Sequence, residues 1–99
     1  MTPLTPEQTR DGQLLSTAVK GIRRLRGLKA AEVAGAMNLS LRAYENFENG
    51  RIRVNPDYVF RFCAVTNSDP NAVLTSIALG APRFALDCAD NKLASILLI

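Results

Sequence analysis

Histidine is absent from the 99-residue chain, which removes the side chain that most often carries protons in catalysis near neutral pH. The two cysteines, Cys63 and Cys88, stand far apart, without the close pairing of a zinc or redox motif. Both read as small buried hydrophobes rather than as a disulfide. No glycine-rich phosphate loop is present, and neither Ser16 nor Ser40 has a base in view to activate it. These absences argue against an enzyme and against any cofactor or metal. No apolar run approaches the roughly 18 residues of a membrane span, so no membrane partner is expected. The opening MTPLTPEQTRDG lacks a basic stretch followed by an apolar one, so the expected location is the cytoplasm.

An apolar fraction of 47% and a length of 99 residues suit one small folded unit with a modest core. Helix signals recur along it. Thr5-Pro6-Glu7-Gln8 combines a Thr cap, proline at the first helical position and Gln three residues after the cap. Leu15, Ala18, Val19, Ile22 and Leu25 continue at helical spacing, which predicts a helix to about Arg26, stopped by Gly27. Gly12 and Gly21 weaken it by about 1 kcal/mol each relative to alanine.

The stretch Leu28 to Gly50, LKAAEVAGAMNLSLRAYENFENG, holds two short amphipathic patterns around a break at Met37-Asn38-Leu39-Ser40. In the first, Ala30, Val33, Ala34 and Met37 share a face. The small residues Ala31, Ala34 and Gly35 are expected to let neighbouring helices lie close. Ser40 then caps a second helix with Leu41, Tyr44 and Phe47 on one side and Arg42, Glu45, Asn46 and Asn49 elsewhere, ended by Gly50. Helices this short need bracing by others. The pattern is that of a helix-turn-helix, the second helix being the one set against DNA.

Farther on, Asn55-Pro56 and Asp69-Pro70 each pair a cap with a first-turn proline. Val59, Phe60, Cys63 and Ala64 are expected to supply core from the first of these helices, and Val73, Leu74 and Ile77 from the second, which Gly80 ends. Phe60 and Phe62 invite a base-stacking role, but aromatics at helical spacing more often pack in a core or interface. Pro82 opens a last helix with Leu86, Ala89, Leu93 and Ile96 or Leu97 on one stripe. The apolar end, Ser95 to Ile99, either folds back onto the domain or packs against a second copy. The second is preferred, because five helices already suffice for a compact unit. The expected organisation is a helix-turn-helix domain over residues 1–80 and a dimerisation segment over 81–99.

Net charge is +3, but between Lys20 and Arg53 eight basic residues face three acidic ones, giving +5 there and −2 elsewhere. Such an asymmetry around the second helix favours approach of a polyanion. Taken alone, it would read as a solvated face.

With these residues in place, Ile22 to Leu74 resembles the Cro and phage-repressor type of helix-turn-helix, the XRE family. The residues that carry it are IRRLRGLKAAEVAGAMNLSLRAYENFENGR, then NPDYVFRFCAVTN and DPNAVL. The most specific part is Tyr44-Glu45-Asn46-Phe47-Glu48-Asn49-Gly50, similar to the family's aromatic or leucine, Glu, any residue, Gly ending. The resemblance implies an all-α, five-helix, lambda-repressor-like domain, here with an extra C-terminal helix. It implies binding to double-stranded DNA, usually as a homodimer on an inverted repeat. The family's base-reading positions fall on Leu41, Arg42 and Asn46. Arg42 has the chemistry for guanine O6 and N7, Asn46 for adenine N6 and N7, and Leu41 for a thymine methyl. Arg42 reads otherwise as an exposed ion-pair partner of Glu45 or Glu48. In the family, the residue matched by Glu48 commonly pairs with the one matched by Arg23, which assigns both to holding the fold. Where many members have Gln at the start of the first helix of the motif, this chain has Ala30, so phosphate anchoring falls to Lys29, Ser40, Arg51 and Arg53, with strong salt dependence implied.

The leading reading is a dimeric, sequence-specific transcriptional regulator, with Leu86, Ala89, Leu93, Ile96 and Leu97 at the dimer interface. The alternative is an antitoxin or accessory subunit that grips a protein partner through residues 81–99.

Overall fold

Thr5 and Gln8 cap each other. The Thr5 hydroxyl accepts from the Gln8 backbone N–H at 3.1 Å, and the Gln8 side chain accepts from the Thr5 N–H at 3.0 Å. This box starts α1 (Pro6–Leu25), with Arg26 at its C-cap. A computed structural model describes residues 2–88 of the chain. It continues with α2 (Ala30–Ala36), α3 (Leu41–Glu48), α4 (Pro56–Thr66), α5 (Pro70–Leu79) and α6 (Arg83–Asp87). Ser40, Asn55 and Asp69 cap α3, α4 and α5 with their side chains, and Pro56 and Pro70 occupy first-turn positions. No strand occurs among the described residues, so the domain is all-α as expected. None of its described helices is long and apolar enough to cross a membrane.

The core forms where the helices' apolar stripes converge. Leu15, Ala18, Val19 and Ile22 of α1, Val33 and Ala34 of α2, and Tyr44 and Phe47 of α3 are buried. Val59, Phe62 and Cys63 of α4 and Val73 and Ile77 of α5 join them. Phe47 is the hub: its ring centroid lies 6.0 Å from Tyr44, 5.8 Å from Tyr58 in an edge-on contact, and 6.0 Å from Phe62. The helix expected to face DNA is thus anchored by its back to α4, while α1 packs against α3, α5 and α6.

Two core expectations are corrected. On α4 the buried residues are Val59, Phe62, Cys63 and Thr66, whereas Phe60 is 51% exposed and Ala64 is exposed. The stripe runs i, i+3, i+4, i+7 because Phe62 must meet Phe47, and the Thr66 hydroxyl is satisfied inside by the Phe62 carbonyl at 2.8 Å. On α2, Ala31 and Gly35 face solvent and only Ala34 is buried, so just one of these small residues serves close packing. Cys63 is buried, and burial, with Asp69 nearby, pushes its thiol up to about 12; Cys88 is half-buried, and both are free thiols.

Two glycines set α1 against the end of α3. A Cβ on Gly12 would stand 2.8 Å from the Gly50 carbonyl oxygen, and one on Gly50 would run into the backbone of Gly12. Gly50 also holds φ +69, which favours glycine. The helix weakening expected at Gly12 is therefore the cost of letting two backbones touch. Farther along α1, Gly21 leaves room for Leu86 of α6, whose Cδ2 would lie 2.7 Å from a Cβ there. Ala85 is buried in the same docking of α6.

Candidate nucleic-acid interface

The turn between α2 and α3 is tight because Asn38 adopts φ +59. Its N–H reaches the Gly35 carbonyl at 3.0 Å and the Leu39 N–H reaches Ala34 at 2.9 Å, closing α2 with a Schellman motif. Asparagine tolerates this left-handed backbone better than most residues, which is what the break Met37-Asn38-Leu39-Ser40 encodes. Ser40 then opens α3, its Oγ accepting from the Ala43 N–H at 3.1 Å.

α3 has two faces of opposite character. Tyr44, Phe47 and Glu48 are buried, whereas Leu41 is 46% exposed and Arg42 and Glu45 are exposed. Asn46 and Asn49 are half-buried at the margin. Arg42 has no hydrogen-bond or ion-pair partner among the described residues. The competing ion-pair reading fails at Glu48, which points the other way.

The buried side holds a closed polar network. Arg23 donates through Nε to Glu48 Oε2 at 2.8 Å and through Nη2 to Oε1 at 2.9 Å, a bidentate pair. Its Nη1 donates to the Leu28 carbonyl at 3.1 Å, and the Tyr44 hydroxyl also donates to Glu48 Oε2. Burial alone would raise the pKa of Glu48, but the hydrogen bonds from Arg23 and Tyr44 and the guanidinium charge outweigh it and hold the carboxylate below its usual range. Tyr44 is pushed up, by burial first and by its bond to Glu48 second, and Arg23 is raised by the same pair. The charge of Glu48 is thereby compensated inside the fold and turned away from the exposed face of α3.

Of the eight basic residues between Lys20 and Arg53, Arg24 is exposed and Lys20 half-buried on α1, and the other six divide into two groups. Arg23 is consumed by Glu48, and Arg26 donates to the Thr66 carbonyl at 2.8 Å and the Asn67 carbonyl at 3.0 Å, tying α1 to the end of α4. Lys29, Arg42, Arg51 and Arg53 are exposed. Lys29 heads α2, where its N–H donates to Glu32 Oε1 at 3.0 Å. Arg51 and Arg53 lie in the loop between α3 and α4. Within the local charge excess seen in the sequence, Arg23 and Glu48 cancel each other, and Arg26 is tied to the end of α4.

Sequence reasoning missed one pairing. Arg51 Nη1 donates to Asn46 Oδ1 at 3.4 Å, so a residue assigned to phosphate sits against one assigned to a base. The signal was Gly50, whose C-cap turn brings the chain back over the last turn of α3. Of the residues expected at a dimer interface, Leu86 lies against Gly21 of its own chain, and Ala89, Leu93, Ile96 and Leu97 lie outside the described residues.

A helix-turn-helix family model matches residues 19–73, spanning α2 to α4 and parts of α1 and α5. Comparison with curated proteins finds no match. Among solved structures, the clp gene regulator ClgR from Corynebacterium glutamicum is similar, with a TM-score of 0.64 and 25% identity over 88% of this chain and 89% of that one. The matched span takes in the capped α2–α3 turn, the two-faced α3 and the Arg23–Glu48 pair, and the chain belongs to the helix-turn-helix family of Cro and phage-repressor type, whose members are DNA-binding regulators.

Proposed function

We propose that the chain is a sequence-specific transcriptional regulator that binds an inverted-repeat operator in double-stranded DNA as a homodimer. The observation that carries this reading is the asymmetry of α3: its inner face is fixed by Phe47 and the Arg23–Glu48–Tyr44 network, while Leu41 and Arg42 are exposed and Arg42 is unpaired. A helix held rigidly from behind, with an unpaired arginine in front, suits entry into a major groove. In that groove Arg42 would donate to guanine O6 and N7, Leu41 would meet a thymine methyl, and Asn46 would read a neighbouring base edge. Lys29, Ser40 and Arg53 surround these residues in sequence and would hold phosphates, positioning the helix without reading sequence. The kinship with a gene regulator of comparable length supports a regulatory outcome. The dimer contact is assigned to the segment that follows α6, through Ala89, Leu93, Ile96 and Leu97.

Paired substitutions test this reading. Arg42→Ala is expected to relax discrimination at one base position, worth about 1–3 kcal/mol, with other positions unchanged. Arg53→Ala is expected to weaken all duplexes alike and to reduce the slope of log affinity against log salt by about 1. Titration of single-position duplex variants at several salt concentrations reads both. Unaltered sequence preference in folded Arg42→Ala would remove α3 from the groove.

A further inference from the structure

The end of α3 closes with a Schellman motif: the Gly50 N–H donates to the Phe47 carbonyl at 3.2 Å, and the Arg51 N–H donates to the Asn46 carbonyl at 2.9 Å. This closure depends on the left-handed backbone of Gly50 and returns residue 51 to the level of residue 46. The side chains repeat the backbone contact, with Arg51 Nη1 at 3.4 Å from Asn46 Oδ1. A guanidinium carries only donors, so the atom of the Asn46 amide that faces it can only be the oxygen. The orientation of the amide therefore follows from chemistry.

From this arrangement we propose that Arg51 is a specificity-determining residue, which engages one lone pair of Asn46 Oδ1 and so biases this asparagine toward acting as a donor to DNA, favouring guanine over adenine. The proposal rests on the reading of α3 as the base-contacting helix. An asparagine free at both atoms matches adenine, giving its N–H to N7 and taking one from N6. With the Arg51 guanidinium on Oδ1, the adenine N6 amino group would have to share that oxygen with a cationic donor, and the cytosine N4 amino group meets the same competition. Guanine offers N7 and O6, both acceptors, to the two N–H bonds of Asn46 Nδ2. Exclusion of water from the groove strengthens the charge-assisted bond that sets this preference.

The test is selection from a random duplex DNA pool by the purified full chain, its Asn46→Ala variant and its Arg51→Met variant, with circular dichroism melting confirming that all three are folded. The position that becomes random in Asn46→Ala identifies the base read by Asn46. In the wild type this position is expected to be guanine. In Arg51→Met, which keeps side-chain length and removes every donor, the guanine-to-adenine ratio there is expected to fall by about tenfold while other positions hold. Adenine in the wild type, or a uniform loss of enrichment in Arg51→Met with the base unchanged, would overturn the role of Arg51 and leave the reading of α3 intact. Failure of the folded wild type to enrich any motif would overturn both.

Discussion

Glu48 can sit on the buried side of α3 because its charge is spent on Arg23 and Tyr44. The side chain of Glu48 is 8% exposed and that of Arg23 17%, so removal of either partner strands the other in a poorly solvated site. Glu48→Gln is expected to cost about 3 kcal/mol, by the general rule for breaking a buried pair. The acid response follows from the same geometry. The folded-state pKa of Glu48 lies below its ordinary value of 4.5, so its share of stability is complete above that pH and is lost as pH falls through the lower folded value. Melting temperatures measured from pH 7 to pH 3 are expected to decline more steeply for the wild type than for Glu48→Gln. Parallel curves would contradict the stabilising charge. The partnership of Arg23 and Glu48 came from family resemblance, since 25 residues separate them and no periodicity joins them. The contribution of Tyr44 lies four residues from Glu48 on one helix, yet Tyr44 reads from sequence only as an apolar core residue.

Helices were the most legible level, because their ends are written in single residues. Thr5, Ser40, Asn55 and Asp69 sit at caps where sequence puts them, and Gly27, Gly50 and Gly80 follow the ends of α1, α3 and α5. The facing of α4 was less legible. Apolar residues at 59, 60, 62, 63, 64 and 65 permit more than one stripe, and the choice depends on Phe47, a partner remote in sequence. Glycines show the same division between local and tertiary control. Gly12→Ala improves helix propensity by about 1 kcal/mol, yet its Cβ would meet the Gly50 carbonyl backbone at 2.8 Å, so a net loss of stability is expected. Gly35→Ala in α2 meets nothing within 4 Å and is expected to gain about 0.5–1 kcal/mol. Urea unfolding of the two variants gives both signs directly, and a gain at Gly12 would mean that α1 and the end of α3 do not touch there.

For the whole molecule, the net charge of +3 conceals a structural division among the basic residues. Arg23 and Arg26 fasten α1 to α3 and to the end of α4, while Lys29, Arg42, Arg51 and Arg53 remain at the surface. Composition reveals the excess but cannot separate these groups, because only packing tells a fastening arginine from one left to solvent. The coupling of Arg51 to Asn46 was hidden for a similar reason: it arises from the closure of a helix end. Assembly is the property on which the operator proposal turns. A two-fold dimer of this motif would address half-sites about 34–36 Å, one turn of DNA, apart. Selection from a random duplex pool by the purified wild-type chain at moderate salt tests this most directly. A two-fold inverted repeat with that spacing is expected, whereas a folded protein that enriches no motif, or a motif without symmetry, would contradict a dimeric operator-binding regulator.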